Sequence, residues 1–174
     1  LPMTFAKTEK RTHDYVRHGT TNLFAALNTA TSEVAGRCFA RRRTKEFLKF
    51  MDQVVTTHDG REIHVVLDNL STHSGPDVDK WLTKHPNVTF HFTPTGSSWL
   101  NQVEIWFGII TKQAIRRGTF TSLRQLINTI NTYITNWNHD SKPFTWTATA
   151  NEIVAKVRLV HQDFQKLLDN NKNA

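Results

Sequence analysis

The run Ile63 to Leu67 (IHVVL) constrains this chain more than any other segment. It is apolar and rich in β-branched residues, which suit a pleated, half-buried surface better than a helix. The turn signal Asp59-Gly60 stands before it, and it stops abruptly at Asp68. Stretches of helical period lie on either side. A buried strand between two helices points to a sheet covered by helices.

The rest of the sequence fills in that frame. Within Thr20 to Thr31, the residues Leu23 to Leu27 form a short apolar run that predicts a strand. Thr31-Ser32 turns the chain, and Glu33 to Ala40 (EVAGRCFA) alternates as its hairpin partner. From Thr44 the period becomes helical, with Phe47, Leu48, Met51, Val54 and Val55 on one stripe. After Gly75-Pro76 a short amphipathic helix is expected through Val78, Trp81 and Leu82, and Val88 to Phe92 (VTFHF) is a strand stopped by Pro94. Trp99 to Arg117 predicts a helix closed by Gly118 as C-terminal cap. Thr121-Ser122 caps another helix running to about Asn138, with Leu123, Leu126, Ile127, Ile130, Tyr133, Ile134 and Trp137 buried. A last amphipathic helix is expected from Asn151 to Leu168. Leu1 to Gly19 is an irregular, basic lead-in. A hairpin followed by helix-linked strands predicts a mixed α/β sheet with flanking helices, in one domain spanning 1–174.

Composition limits the function classes. No apolar run approaches the roughly 20 residues that span a bilayer, and the first residues do not have the form of a signal peptide. The single cysteine, Cys38, excludes an internal disulfide and points to a reducing cytosolic setting. The net charge of +7 favours polyanionic partners, of which nucleic acid is the commonest. The basic residues gather in clusters: Lys7, Lys10 and Arg11; Arg41, Arg42, Arg43 and Lys45; Lys112, Arg116 and Arg117. Each cluster alone reads first as a solvated face; three beside predicted element ends favour DNA as the partner.

Two carboxylates stand in informative places. Asp68 closes a buried strand, and ligands of open α/β sheets gather at the carboxyl ends of strands. Asp-Asn is also an ordinary strand terminator. Glu104 falls at the edge of an apolar stripe formed by Leu100, Val103, Phe107 and Ile110. A carboxylate against such a face is paired, protonated or bound to a cation. Lys112 is the candidate partner, whereas Gly108, one turn on, leaves room for a ligand. If the last strand runs beside the strand ending at Asp68, the loop after Pro94 brings the next helix back over both strand ends. Asp68 and Glu104 then meet, and clustered hard oxygens suit magnesium or manganese and phosphoryl transfer.

Several strings in this chain occur together in one known family. They are Val66-Leu67-Asp68-Asn69 with Ser71-Thr72-His73, Phe92-Thr93-Pro94-Thr95, and Ser98-Trp99-Leu100-Asn101-Gln102-Val103-Glu104 with Trp106-Phe107. The lead-in Arg11 to Thr20 and Lys142-Pro143-Phe144-Thr145-Trp146-Thr147 join them. The series resembles insertion sequence 630 family transposases of the mariner-like group, over essentially the whole chain. The 35 residues between Asp68 and Glu104 agree with that family's spacing. The resemblance implies a ribonuclease-H-like fold and an Asp-Asp-Glu triad. That triad holds two Mg2+ or Mn2+ ions, one activating water and then the freed 3′-hydroxyl, the other stabilising the leaving oxygen. Asp68 matches the second acid and Glu104 the third. Asn69, His73 and Asn101 lie in the same motifs as residues that shape the site. Double-stranded DNA, as transposon ends and target, is the implied partner, with a homodimer in the intact protein and a bacterial, nucleoid-associated cytoplasmic location.

The family's pattern departs at the front. Its first acid ends a central strand upstream of the segment resembling Leu1 to Thr20, and its helix-turn-helix region lies further upstream. Asp14 is the nearest acid here, but it matches a position after that strand. The sequence begins at Leu1 rather than Met, so the natural start is expected upstream. On this reading the first central strand is missing from the chain, which leaves sheet edges in need of a partner, and the chain alone is expected to cut DNA poorly. A non-catalytic DNA-binding remnant, and a related nuclease such as a junction resolvase or ribonuclease H, are the competing readings. The helix bearing Trp99 to Glu104 argues against the latter.

Overall fold

The computed structural model describes residues 19–94 and 100–143, with 149, 151–152, 154–155, 158–159 and 162. The lead-in, Asp14, Ser98, Trp99 and the segment Phe144 to Thr147 therefore lie outside the described residues, as does most of the helix expected at 151–168.

Strands β1 (Asn22–Leu27) and β2 (Val34–Phe39) form an antiparallel hairpin in which Leu27 faces Val34 and Asn22 faces Phe39. The turn is built on Asn28, whose Oδ1 accepts from the amides of Ala30 and Thr31 at 2.9 and 3.3 Å. Ser32 completes it at φ 60°. Helix α1 (Thr44–Thr57) follows, then β3 (Ile63–Leu67), a single 3-10 turn (Ser71–His73), α2 (Pro76–Lys84) and β4 (Val88–Phe92). Proline at the start of α2 lacks the N–H that would have no partner there, and Asp77 and Asp79 in the first turn suit the helix dipole. Strands β3 and β4 pair in parallel, Leu67 beside Phe92.

Among the described residues the four strands form two separate two-stranded sheets, not the continuous sheet expected. Helix α1 bridges them. Its buried residues Phe47, Phe50, Met51 and Val54, with Trp81 and Val88, take Phe24, Ala26, Ala35 and Phe39 from one sheet. The same cluster takes Ile63, Val65 and Phe90 from the other. Phe50 belongs to the buried stripe as well as the residues that the helical period predicts. Trp81 Nε1 donates to Asp52 Oδ1 at 2.7 Å, tying α2 to α1.

The opposite face of the hairpin is also covered. Leu23, Ala25, Leu27, Val34 and Cys38 pack against Trp106 and Ile110 of α3 (Gln102–Ile110) and Ile130 and Ile134 of α4 (Leu123–His139). The alternation of β1 thus feeds both layers: odd positions face α3 and α4, even positions face α1. At Gly36 the approach is close enough that a Cβ would stand 2.5 Å from Ile134 Cδ1.

The helix expected from Trp99 to Arg117 is shorter and irregular. Its α-helical part ends at Ile110, and Thr111–Ile115 is a π-turn in which Arg116 N–H donates to Thr111 O at 2.8 Å. Gly118 is not a left-handed cap. A Cβ there would lie 2.2 Å from Phe120 Cζ, so a larger residue would displace that ring. Ser122 does cap α4: its hydroxyl accepts from Gln125 N–H at 3.2 Å, while Gln125 Oε1 accepts from Thr121 N–H at 2.9 Å.

The far end of α4 clamps the hairpin. Asn138 Oδ1 accepts from Val34 N–H at 2.8 Å and its Nδ2 donates to Val34 O at 2.9 Å, and Trp137 Nε1 donates to Ser32 O at 2.8 Å. A side-chain amide here occupies the edge of β2 as another strand would.

Candidate active site

Asp68 is the first residue after β3, half-buried, where the parallel pair ends. Two contacts extend the pairing past the strands. Thr93 N–H donates to Leu67 O at 2.9 Å, and Asn69 Nδ2 donates to Thr93 O at 2.7 Å. Asn69 is therefore a latch between the two strand ends, and its amide is turned to the backbone.

The Asp68 carboxylate is fixed on one side only. Oδ1 accepts from Leu70 N–H at 3.4 Å, a short turn typical of Asp, and stands 2.9 Å from His73 Nδ1. His73 Nδ1 also lies 3.2 Å from the Asp68 carbonyl. Among the described residues Oδ2 has no hydrogen-bond partner. The His73 ring is held in turn by Phe47, with centroids 4.5 Å apart. No local pattern marks Phe47 for this role, because the contact joins the first turn of α1 to a 3-10 turn on a different element.

That contact also places a basic cluster. Arg41, Arg42, Arg43 and Lys45 occupy the link from β2 into α1, at the same end of α1 as Phe47, and so at the Asp68 end of the sheet. Arg43 is engaged by Glu46, with Nε 2.9 Å from Oε2 and a second, closer contact from its other nitrogen. This pairing holds the Glu46 carboxyl below its ordinary range and raises the Arg43 guanidinium above its own. Arg43 is thus less available to a polyanion than its neighbours. Arg41, Arg42 and Lys45 are exposed, with no ion pair among the described residues.

Glu104 lies in the first turn of α3, where a carboxylate suits the helix dipole, and its amide donates to Asn101 O at 3.0 Å. Asn101 is the N-cap residue, although its side chain makes no capping bond. The buried face of α3 is Gln102, Trp106 and Ile110, not the stripe through Leu100 and Val103. Glu104 therefore points to solvent, needs no partner, and makes no pair with Lys112. Nor does Gly108 make special room, since a Cβ there would meet nothing within 4 Å. Lys112, Arg116 and Arg117 are exposed beyond the end of α3, on and after the π-turn. Lys112 lies roughly 12 Å along the helix from Glu104. On the inner face, Gln102 Oε1 and Trp106 Nε1 are buried without a hydrogen-bond partner among the described residues.

Asp68 and Glu104 are thus both open to a ligand at one oxygen or more. No direct contact joins them, and among the described residues no group of three His, Cys, Asp or Glu side chains is arranged to hold a metal. No helix among them is long and apolar enough to cross a membrane.

The sequence profile of the DDE superfamily endonucleases matches residues 3–127, and the chain belongs to that family. No curated protein sequence matches it. Among solved structures it is similar to a chain of the simian T-cell lymphotropic virus intasome, determined by cryo-electron microscopy in complex with PP2A regulatory subunit B56 gamma. The TM-score is 0.56 at 16% identity, over 70% of this chain and 43% of that one. The likeness shows the fold, a ribonuclease-H-like α/β arrangement. The chain spans less than half the length of that neighbour.

Proposed function

We propose that this chain is a catalytic-core domain of an insertion-sequence transposase of the insertion sequence 630 type, for metal-dependent cleavage and strand transfer of double-stranded DNA. The observation that carries this reading is Asp68. A carboxylate at the end of a parallel strand has one oxygen tethered and the other open, in a chain of the DDE superfamily endonucleases. Asp68 and Glu104 would be two of the three acids. Both offer hard oxygens, which suit Mg2+ or Mn2+ rather than softer ions. The chemistry a bound pair of such ions supplies is activation of water and stabilisation of the departing 3′-oxygen.

The protein's own contribution is positioning. Asn69 and Thr93 hold the strand ends together beneath Asp68. Arg41, Arg42 and Lys45 stand at that end of the sheet to bind phosphates, and Lys112, Arg116 and Arg117 extend the basic surface along α3. The third acid, on this reading, is carried by a strand from outside the described residues, seated between β1 and β3. The division into two two-stranded sheets under one helix supports such a strand, as do the unpartnered buried polar atoms of Gln102 and Trp106. Two carboxylates make a poor cage for two ions, so the chain acting alone is proposed to bind DNA without efficient cutting. The intact protein would act as a homodimer on transposon ends and target.

The test is nicking of supercoiled plasmid in Mg2+ or Mn2+ by this chain and by a form extended upstream. The reading requires that the extended form cut and that Asp68→Ala or Glu104→Ala abolish cutting. Cutting by the extended form that survives both substitutions would overturn it, and efficient cutting by this chain alone would overturn the need for a third acid.

A further inference from the structure

We infer that His73 is the positioning residue of the Asp68 carboxylate, holding Oδ1 so that Oδ2 alone is presented to a divalent cation. The inference rests on the reading of Asp68 as a metal ligand and adds to it what sets that ligand's orientation.

Among the described residues, both atoms within reach of His73 Nδ1 are acceptors: the Asp68 carboxylate oxygen at 2.9 Å and the Asp68 carbonyl at 3.2 Å. Nδ1 must therefore carry the hydrogen, which fixes the tautomer of the neutral ring. One N–H thus braces both the side chain and the main chain of the same residue. The ring itself cannot swing away. It is mostly buried, its side chain 14% exposed, and it packs on Phe47 of α1, while His73 N–H donates to Leu70 O at 2.9 Å to close the 3-10 turn. Leu70 N–H adds a weaker bond to the same Oδ1. Two donors thus converge on Oδ1, and among the described residues none reaches Oδ2.

The consequence follows from carboxylate chemistry. A free Asp side chain rotates about its two χ angles and samples bidentate and monodentate ligation. Bracing one oxygen removes that freedom and leaves a single preferred direction for a cation. Partners of this kind typically contribute 10–100-fold to metal affinity.

The experiment is Mn2+ titration of the full chain by electron paramagnetic resonance, in wild type, Asp68→Asn, His73→Leu and His73→Asn. Leucine keeps packing against Phe47 but has no N–H, whereas the Asn δ-amide places a donor where Nδ1 stands. Thermal melting of each variant identifies any that fails to fold, and the remaining His73 variant decides the matter. The expected result is a saturable site lost in Asp68→Asn, weakened at least 10-fold in His73→Leu and restored to within about threefold in His73→Asn. Equal affinity in wild type and His73→Leu, with the site still lost in Asp68→Asn, would overturn the role of His73 alone. So would weakening in a folded His73→Asn as severe as in Asp68→Asn. A wild type without a saturable site both in this chain and in the upstream-extended form, or a site indifferent to Asp68→Asn, would overturn the reading of Asp68 itself and the inference with it.

Discussion

Asn138 offers the sharpest test of how the layers are held together. In the hairpin, Glu33 O accepts from Asn28 N–H, so the N–H and C=O of Val34 point away from β1, as antiparallel pairing alternates. Asn138 satisfies both, and Val34 is only 2% exposed. Asn138→Ala removes two hydrogen bonds, each worth about 1 kcal/mol net, and strands a buried donor and a buried acceptor whose desolvation costs about 1–3 kcal/mol apiece. Partial access of water to the vacated space lowers that sum, and a loss of about 3 kcal/mol is expected. For a domain of this size that is roughly 6–12 °C in melting temperature. Asn138→Asp should do no better at neutral pH, because a carboxylate oxygen would face the Val34 carbonyl. Urea unfolding with a constant slope is the appropriate assay. A change below about 0.5 kcal/mol for Asn138→Ala would show that the clamp is not a determinant of stability.

Further consequences are open to direct measurement. Gly118→Ala should destabilise through its clash with the Phe120 ring, and Phe120→Ala should relieve most of that effect, so a double-mutant cycle reads a coupling of about 1 kcal/mol or more; additive losses would contradict it. Replacing Arg41, Arg42 and Lys45 together by Ala should lower the slope of log affinity for duplex DNA against log salt by about 2–3, with little dependence on sequence; an unchanged slope would remove this loop from the DNA track. Burial pushes the Cys38 thiol up, and burial also raises the Tyr133 phenol. Groups raised in the folded state contribute stability that is complete below their unfolded pKa and is lost as pH climbs through the folded value. Stability should therefore fall in the alkaline range, less so in Cys38→Ala, and urea midpoints across that range would show it.

Much of the architecture was legible because local signals agreed. Asp59-Gly60 and Pro94 bound the strands β3 and β4, Ser122 and Gln125 mark the start of α4, and Gly75-Pro76 marks that of α2. The face of α3 differs from the one its periodicity predicts because Trp106, larger than Leu100 or Val103, is the residue that becomes fully buried. The change from α to π winding at Thr111 was invisible, since no glycine or proline marks it. Asn138 and Val34 are 104 residues apart, and no local pattern announces a side chain that closes a distant strand edge. The site divides in the same way. Asp68 could be placed from its position at a strand end, but the partners that orient it, His73 and behind it Phe47, come from contacts between elements. The separation of the strands into two pairs was likewise beyond periodicity, which specifies faces and not neighbours.

The measurement that bears most directly on the central claim is anomalous diffraction from Mn2+-soaked crystals of the upstream-extended protein bound to DNA. The account predicts a manganese peak ligated by Asp68 Oδ2 and shared with or adjoining Glu104, with His73 still bonded to Oδ1. A manganese site elsewhere, with Asp68 and Glu104 both unliganded, would contradict it.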